Sequence, residues 1–531
     1  STHIACLMSH YHTKRDGRPE AFKNWQYIKM DNSNGHSDVY ELSSDIQNGT
    51  KEHSKHEENS TTEEMGSAEG VGEVTSNNND KEYKPSEKWR IMKNIVVISL
   101  AFMVHFTAFQ GAGNLQSSVN ADEGLGTVSL ATIYFALILS NVFLPVVMIR
   151  WLGCKWAVAV SFIAYMPYIG AQFYPKFYTM IPAGLLVGFG GGPLWCGKCT
   201  YLSVVSEIYA ELTNVPAETL VVRFFGIFFM IFQFAQVWGN LISSTVFSMG
   251  DSERTLFSNV SAICGRNFCP GNEANENSNM QRPPDEQIYM VAGIYLACMA
   301  SACIIVALGV DSLKRYKEGI REGSGKGLSG FQLLAITLKL LKERNQLLIL
   351  PITMFLGVEQ AFVGADYTAA YVACAWGISN IGYVMICYGI TNSISAIGTG
   401  SLVKLTGRVP IVCCAFLLHL GILIGLLTWA PTPDDKILFF VITGLWGICD
   451  GVWLVQINAY CGILFPSREE AAYSNFRLWE SLGYIIAYAY SMYLCATVKI
   501  YILLAFLVTG MAGYLTVEWK ERQKLREKAV Q

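Results

Sequence analysis

The sequence predicts an all-α integral membrane protein with twelve transmembrane helices in two parallel six-helix halves. Of its 531 residues, 52% are hydrophobic and only 15% are charged, whereas about a quarter of the residues in a soluble domain are charged. Apolar segments of about 20 residues, the length that crosses a bilayer core, recur along the chain. Arg223 and Arg477 stand 254 residues apart, as do Gly153 and Gly407, which indicates that one six-span unit occurs twice.

The first 88 residues differ in composition from the rest of the chain. They are rich in Ser, Asn, Glu and Lys and contain few aliphatic residues. Such a stretch buries too little apolar surface to offset the entropy lost on ordering. We expect residues 1–88 to form a disordered cytosolic N-terminal tail.

Twelve apolar spans are predicted after this tail. The N-terminal six-helix half, residues 89–310, has spans near residues 94–114, 127–149, 156–174, 179–203, 224–247 and 288–310. The C-terminal six-helix half, residues 347–518, has spans near residues 347–367, 381–403, 409–430, 437–463, 475–495 and 499–518. Two parallel six-span halves are typical of the major facilitator architecture.

A cytosolic linker, residues 311–346, is predicted between the halves. Phe331, Leu334, Leu338 and Leu341 would share one face of a helix there. This pattern favours a short helix on the membrane surface, and a solvated linker that frays is the alternative.

The distribution of Lys and Arg predicts the orientation in the membrane. The end of the tail, the loops after spans two and eight, the linker and the basic C-terminus at residues 519–531 are rich in both residue types. The alternate loops are poor in them, and cytosolic loops carry the excess of positive charge. We therefore expect both termini in the cytosol of a multi-pass protein of the plasma membrane, surrounded by membrane lipids. A net charge of −3 gives no indication of a nucleic-acid partner.

The long loop at residues 249–287 is then predicted to lie outside the cytosol. Cys264 and Cys269 are close enough in sequence to form a small disulfide there, where the redox environment permits one. Asn259 begins an Asn-Val-Ser glycosylation sequon on the same side.

A run of glycines in span four resembles a phosphate-binding loop, but its position argues against that function. The run leads from Gly192 to Lys198 in the G-x-x-x-x-G-K pattern, yet Cys199 follows where Ser or Thr is required. Glycines inside an apolar span instead allow a neighbouring helix to approach closely. Cys196 and Cys199 resemble half of a metal site without a second pair. We predict no metal, no cofactor and no catalytic residues.

Five ionisable residues fall inside the predicted spans that would line a central cavity. Charged groups are costly in lipid and usually face protein or water. Glu359 and Asp366 are seven residues apart, which predicts one helix face, and Lys198 would balance Glu359 or Asp450. The alternative is that these are structural pairs that lock the halves together. The central cavity candidates are His105, Lys198, Glu359, Asp366 and Asp450.

Several long runs resemble the unc-93 family, across roughly residues 90–520. They include Trp238 to Ser244 (WGNLISS), Gly444 to Trp453 (GLWGICDGVW) and Ser474 to Glu480 (SNFRLWE). The resemblance implies a twelve-span major facilitator-like fold without established catalysis. Members of this family are described as regulatory subunits of two-pore-domain potassium channels or as trafficking partners of other membrane receptors.

The loops after spans two and eight depart from the pattern of transporting major facilitator proteins. Those proteins carry an acidic residue that helps to latch the cytosolic gate, whereas this chain has basic residues at that position in both halves. Arg477 and Glu480 could pair with each other or brace the loop after span eight, and we favour bracing. The candidates for the cytosolic gate or its bracing are Arg150, Lys155, Lys404, Arg408, Arg477 and Glu480.

The sequence thus predicts a non-enzymatic membrane protein that regulates an ion channel, with a two-pore-domain potassium channel as the expected partner. The alternative is a secondary transporter of a small polar or organic solute that uses the charged cavity residues.

Overall fold

The computed structural model describes residues 86–215, 217–249, 260–270, 277–316, 335, 339–465 and 469–530. The predicted tail lies almost entirely outside these residues, as do Asn259 and most of the predicted surface helix. Every long element in the described part is a helix.

The N-terminal half contains six spans. Span one is Ser86–Gly113, and it begins within the stretch that the sequence had assigned to the tail. Spans two and three lie in the helix Leu125–Gly170, which breaks at Gly153, where φ is +76°. Because a side chain disfavours a positive φ, glycine suits this break. The remaining three are span four, Phe177–Thr213, span five, Ala217–Ser248, and span six, Asp285–Ile304.

The C-terminal half repeats this order. Span seven begins as Arg344–Ala361, continues as a π-helix over Phe362–Ala373 and ends at Trp376. The others are span eight, Ile381–Thr406, span nine, Arg408–Thr428, span ten, Lys436–Leu464, span eleven, Glu469–Ser491, and span twelve, Ala496–Val530. The predicted basic C-terminus is therefore part of span twelve up to Val530.

The predicted count of twelve spans agrees approximately with the structure. Within the described ranges, 11 helices are long and apolar enough to cross a membrane. Glu469–Ser491 occupies the place of span eleven with 23 residues, but it carries Glu469, Glu470, Arg477 and Glu480 and is not one of these 11. This helix packs against span seven and span two, so protein surrounds much of it.

The packing of helices repeats between the halves. Span one packs on spans five and six, and span seven packs in the same way on spans eleven and twelve. Spans two and four approach each other closely at Gly188. A Cβ at this position would lie only 2.4 Å from the Ile133 carbonyl oxygen. This contact confirms the prediction that the span-four glycines admit a neighbouring helix. Across the two halves, span five packs on span eight and span two on span eleven.

The predicted disulfide between Cys264 and Cys269 is wrong. Cys264 is bonded to Cys374 at the end of span seven, and Cys269 is bonded to Cys495 between spans eleven and twelve. Closeness in sequence suggested the pairing, whereas the fold carries this loop onto the other half. We call the end of the molecule that carries these bonds the disulfide face, and the other end the opposite face.

Candidate functional site

A buried polar cluster lies in the C-terminal half around Asp450 of span ten. The Oδ1 atom of Asp450 accepts a hydrogen bond of 3.0 Å from Gln360 Nε2. Its Oδ2 atom accepts one of 2.6 Å from the Tyr388 hydroxyl and another from Asn392 Nδ2. Only 2% of Asp450 is exposed, so its carboxyl group has lost most of its contact with water. The three donors from spans seven and eight compensate for this desolvation.

Glu359 of span seven belongs to the same cluster. Trp446 Nε1 donates a hydrogen bond of 2.5 Å to Glu359 Oε2, and the Asp450 carboxyl lies close by. Glu359 is fully buried, and its Oε1 atom has no hydrogen-bond partner among the described groups. The structure therefore brings two of the five predicted cavity residues together.

The cluster extends to the boundary between the two halves. Tyr484 of span eleven donates a hydrogen bond to Gln360 Oε1. The ring of Tyr484 stacks on that of Tyr134 in span two, with centroids 4.1 Å apart and planes 7° apart. We call Glu359, Gln360, Tyr388, Asn392, Asp450 and Tyr484 the polar cluster.

Asp366 lies apart from the polar cluster. Its Oδ1 atom accepts hydrogen bonds of 2.6 Å from Lys499 Nζ and 2.5 Å from the Ser491 hydroxyl. The expectation that Glu359 and Asp366 share one helix face is wrong, because span seven changes from α-helix to π-helix between them. A π-helix closes its hydrogen bonds over five residues instead of four, and a spacing of seven no longer returns to the same face.

Sequence reasoning missed Lys499, the ion-pair partner of Asp366. Lys499 stands at the predicted first residue of span twelve, where lysines commonly reach the membrane surface. The structure instead starts the helix at Ala496 and leaves only 2% of Lys499 exposed. Asp366 itself was the signal in the sequence: an aspartate inside an apolar span needs a basic partner, and none had been assigned to it.

Lys198 does not balance Glu359 or Asp450. Its Nζ atom lies 4.3 Å from the ring centroid of Phe228 and 4.9 Å from that of Phe229, both in span five. Glu359 and Asp450 are bound by groups of the C-terminal half, so this pairing was wrong. Aromatic faces attract a cation through their quadrupole, which stabilises the ammonium group within its own half.

His105 also packs within the N-terminal half. It is fully buried, and its ring stacks on Phe162 of span three with centroids 4.0 Å apart. Tyr165 meets it edge to face at 5.0 Å. The structure therefore places His105 in an aromatic core, away from the polar cluster.

The basic residues of the opposite face have different surroundings. Arg150 is exposed, and Lys155 Nζ lies 5.3 Å from the ring centroid of Trp156. Lys404 belongs to span eight, but its side chain lies outside the described residues. Arg408 Nη2 donates a hydrogen bond of 2.9 Å to Glu518 Oε2 of span twelve.

Arg477 and Glu480 pair with each other. Arg477 Nη1 donates a hydrogen bond of 2.5 Å to Glu480 Oε2, three residues along span eleven. The sequence favoured a bracing contact with the loop after span eight, and the structure shows the other alternative. The ion pair between Arg408 and Glu518 supports that region instead.

The site offers proton-transfer and hydrogen-bonding groups but little that would hold a metal ion. In the described ranges, no group of three or more His, Cys, Asp and Glu side chains is placed to do so.

Known proteins resemble this chain in sequence and in fold. The family model described as "Ion channel regulatory protein UNC-93" matches residues 117–515. "Protein unc-93 homolog A" of Xenopus laevis is 42% identical over 440 residues, which cover 82% of this chain and 95% of that protein. "Putative potassium channel regulatory protein unc-93" of Caenorhabditis elegans is 36% identical over 448 residues, or 83% of this chain and 62% of that protein.

A solved structure extends the likeness to the fold. The crystal structure of the nucleoside transporter NupG superposes with a TM-score of 0.56 at 12% identity, covering 79% of this chain and 98% of that one. At this identity the likeness concerns the fold alone. It confirms the predicted major facilitator-like architecture.

Proposed function

The chain belongs to the UNC-93 family, and we propose that it is a non-enzymatic membrane subunit that regulates a potassium channel. The description of the family model and the name of the Caenorhabditis elegans relative support an ion channel as the partner. The resemblance noted in the sequence makes a two-pore-domain potassium channel the specific expectation.

One observation about the site carries the proposal further. The charged groups that a carrier would present to its solute already have partners within their own half of this protein. In the C-terminal half, Lys499 pairs with Asp366. Asp450 accepts hydrogen bonds from Gln360, Tyr388 and Asn392. In the N-terminal half, aromatic rings surround the Lys198 ammonium group. Groups that already have buried partners favour a stable scaffold over a site that must release and rebind a solute.

We also propose the setting in which this regulation takes place. The protein lies in the plasma membrane with both termini in the cytosol, and the disulfide face is extracellular. Membrane lipids contact the exposed apolar side chains of its spans, such as Phe135, Ile163, Ile397 and Leu417. The channel would contact other helix ridges or the opposite face.

A secondary transporter is the second candidate, and the polar cluster favours it. The cluster lies where the halves meet, and the carboxyls of Glu359 and Asp450 lie close together with no described donor to Glu359 Oε1. A buried acceptor of this kind is costly unless a proton, a cation or a solute donor satisfies it.

The direct test of the proposal is to purify the tagged protein from native membranes in mild detergent and to quantify co-purifying membrane proteins. A potassium channel in near-stoichiometric amount supports the regulator. A protein without a partner supports the carrier, and solute uptake into reconstituted vesicles then follows.

The substitution Asp450→Asn separates the two candidates. It removes the carboxyl group of Asp450 while preserving the size of the side chain, and Asp434→Asn, on an exposed loop residue, is the matched control. A regulator should keep its channel partner and show no solute uptake in either variant. Uptake that the wild type and Asp434→Asn support and Asp450→Asn loses, at equal surface level, would establish the carrier.

A further inference from the structure

The loop between spans five and six lies on the half to which it does not belong in sequence. Its described residues, 260–270 and 277–284, connect two helices of the N-terminal half. Both of its cysteines are nevertheless bonded to the C-terminal half, Cys264 to Cys374 and Cys269 to Cys495. We call these described residues the clasp.

Hydrogen bonds hold the first part of the clasp at the same place. The Ala496 backbone N–H donates a bond of 2.8 Å to the Phe268 carbonyl. The Thr497 hydroxyl donates one of 2.5 Å to the Arg266 carbonyl, and Arg266 Nη1 donates one of 2.9 Å to the Leu427 carbonyl. The clasp thus contacts the start of span twelve and the end of span nine as well as span seven.

The second part of the clasp leads back to the N-terminal half by a short path. Asn277 and Asn279 are buried, and their Nδ2 atoms donate bonds of 2.9 and 3.2 Å to the Cys374 carbonyl. Span six then begins at Asp285. Six residues reach at most about 20 Å, and Pro283 and Pro284 stiffen this path because their rings fix φ.

The two halves are also in direct contact at the disulfide face. A Cβ on Gly382 of span eight would lie 2.3 Å from the Asn240 carbonyl oxygen of span five. A Cβ on Gly124, before span two, would lie 2.2 Å from Met492 after span eleven. The two halves are therefore already in contact at the end of the molecule where the clasp docks.

We propose that the clasp is a covalent lock that keeps the two halves together at the disulfide face. The two disulfides hold it on the C-terminal half. The hydrogen bonds of Asn277 and Asn279 to the Cys374 carbonyl, together with the short path through Pro283 and Pro284, keep the start of span six beside the end of span seven. Rearrangement of the halves is then confined to the opposite face. This inference concerns the mechanics of the fold and does not depend on whether the partner is a channel.

The chemistry of the lock is reversible. Each bond forms when two thiols pass two electrons and two protons to a disulfide oxidant, which becomes a dithiol. A dithiol reductant reverses the step: it supplies two electrons and two protons, the S–S bond breaks into two thiols, and the reductant closes into its own disulfide.

The first test uses the full chain with a protease site inserted at residues 317–334, between the halves. After cleavage, the lock predicts one band of full-length mass on a non-reducing gel and two fragments after treatment with dithiothreitol. The double variants Cys264→Ser/Cys374→Ser and Cys269→Ser/Cys495→Ser should each remain linked, and only the quadruple variant should separate. Two fragments from the unreduced wild type would overturn the proposal.

The second test measures the movement that the lock prevents. Tyr178 and Ile437 are exposed residues at the beginnings of spans four and ten, one in each half on the disulfide face. Spin labels on genetically encoded keto amino acids at both positions leave the cysteines untouched. We expect the distance distribution between the labels to shift to longer values when the folded wild type is reduced. An unchanged distribution after complete reduction would refute the lock, even if the serine variants failed to fold.

Discussion

Asp366 and Lys499 illustrate how a charged pair is held inside this protein. Their ion pair is 2.6 Å long, and both side chains are almost completely buried. The Lys499 ammonium also donates a hydrogen bond of 2.6 Å to the Ser491 carbonyl, so the pair joins spans seven, eleven and twelve. A buried pair of this kind contributes little net stability, but losing one partner leaves an uncompensated charge.

The substitution Lys499→Met should therefore destabilise the protein strongly. Breaking a buried pair costs about 3–5 kcal/mol, which predicts a clear fall in Tm for the detergent-purified protein. The double variant Asp366→Asn/Lys499→Met should recover most of this loss, because no buried charge remains. Lys436→Met, at an exposed position, is the control. Equal Tm values for Lys499→Met and its control would contradict the structural role of the pair.

At the scale of the helices, much of the fold could be predicted from the sequence. Apolar length located most spans. Gly153 and Gly407, whose spacing indicated the repeat, stand in the structure at the breaks between spans two and three and between spans eight and nine. Span eleven departs from the apolar pattern because it packs on spans seven and two. The π-helix in span seven has no signature in residue spacing, and for that reason the faces of Glu359 and Asp366 were misassigned.

The site was harder to predict than the helices because it depends on contacts between distant segments. The sequence correctly indicated that Glu359 and Asp450 lie within the membrane spans, where burying a carboxyl group costs free energy that polar partners must offset. The donors to Asp450 are Gln360, Tyr388 and Asn392, ordinary polar residues that only the packing of spans seven, eight and ten brings together. Disulfide connectivity likewise depends on tertiary contacts and cannot be read from spacing.

The approach of spans five and eight gives a prediction at the element scale. Because a Cβ on Gly382 would lie within 2.3 Å of both Asn240 and Ser244, Gly382→Ala must push the two helices apart. We expect a lower Tm and a smaller monodisperse fraction on size-exclusion chromatography. Gly421→Ala in span nine is the matched control, since among the described residues no atom beyond its own stretch of helix backbone lies within 4 Å of the position that its new methyl group would take. Identical profiles for the two variants would show that this contact is not tight.

The whole molecule combines a transporter-like fold with features that restrict movement. The polar cluster, the ion pair of Asp366 and the clasp each hold neighbouring helices or loops together. The ion pair and the clasp lie near the disulfide face. Membership of the UNC-93 family places these features in a protein related to regulators of ion channels. A rigid scaffold can change the activity of a channel if it binds one conformation of the channel more tightly than another, because it then shifts the populations of these conformations.

The most direct test of this account is the potassium current per channel at the cell surface. Two-pore-domain potassium channels are expressed singly with and without this chain, and each current is divided by the surface amount of that channel. Dividing by surface amount separates regulation from escort through the secretory pathway. The account predicts that the current per surface channel changes severalfold for at least one of them. Unchanged values for every channel, with this protein present at the surface, would contradict it.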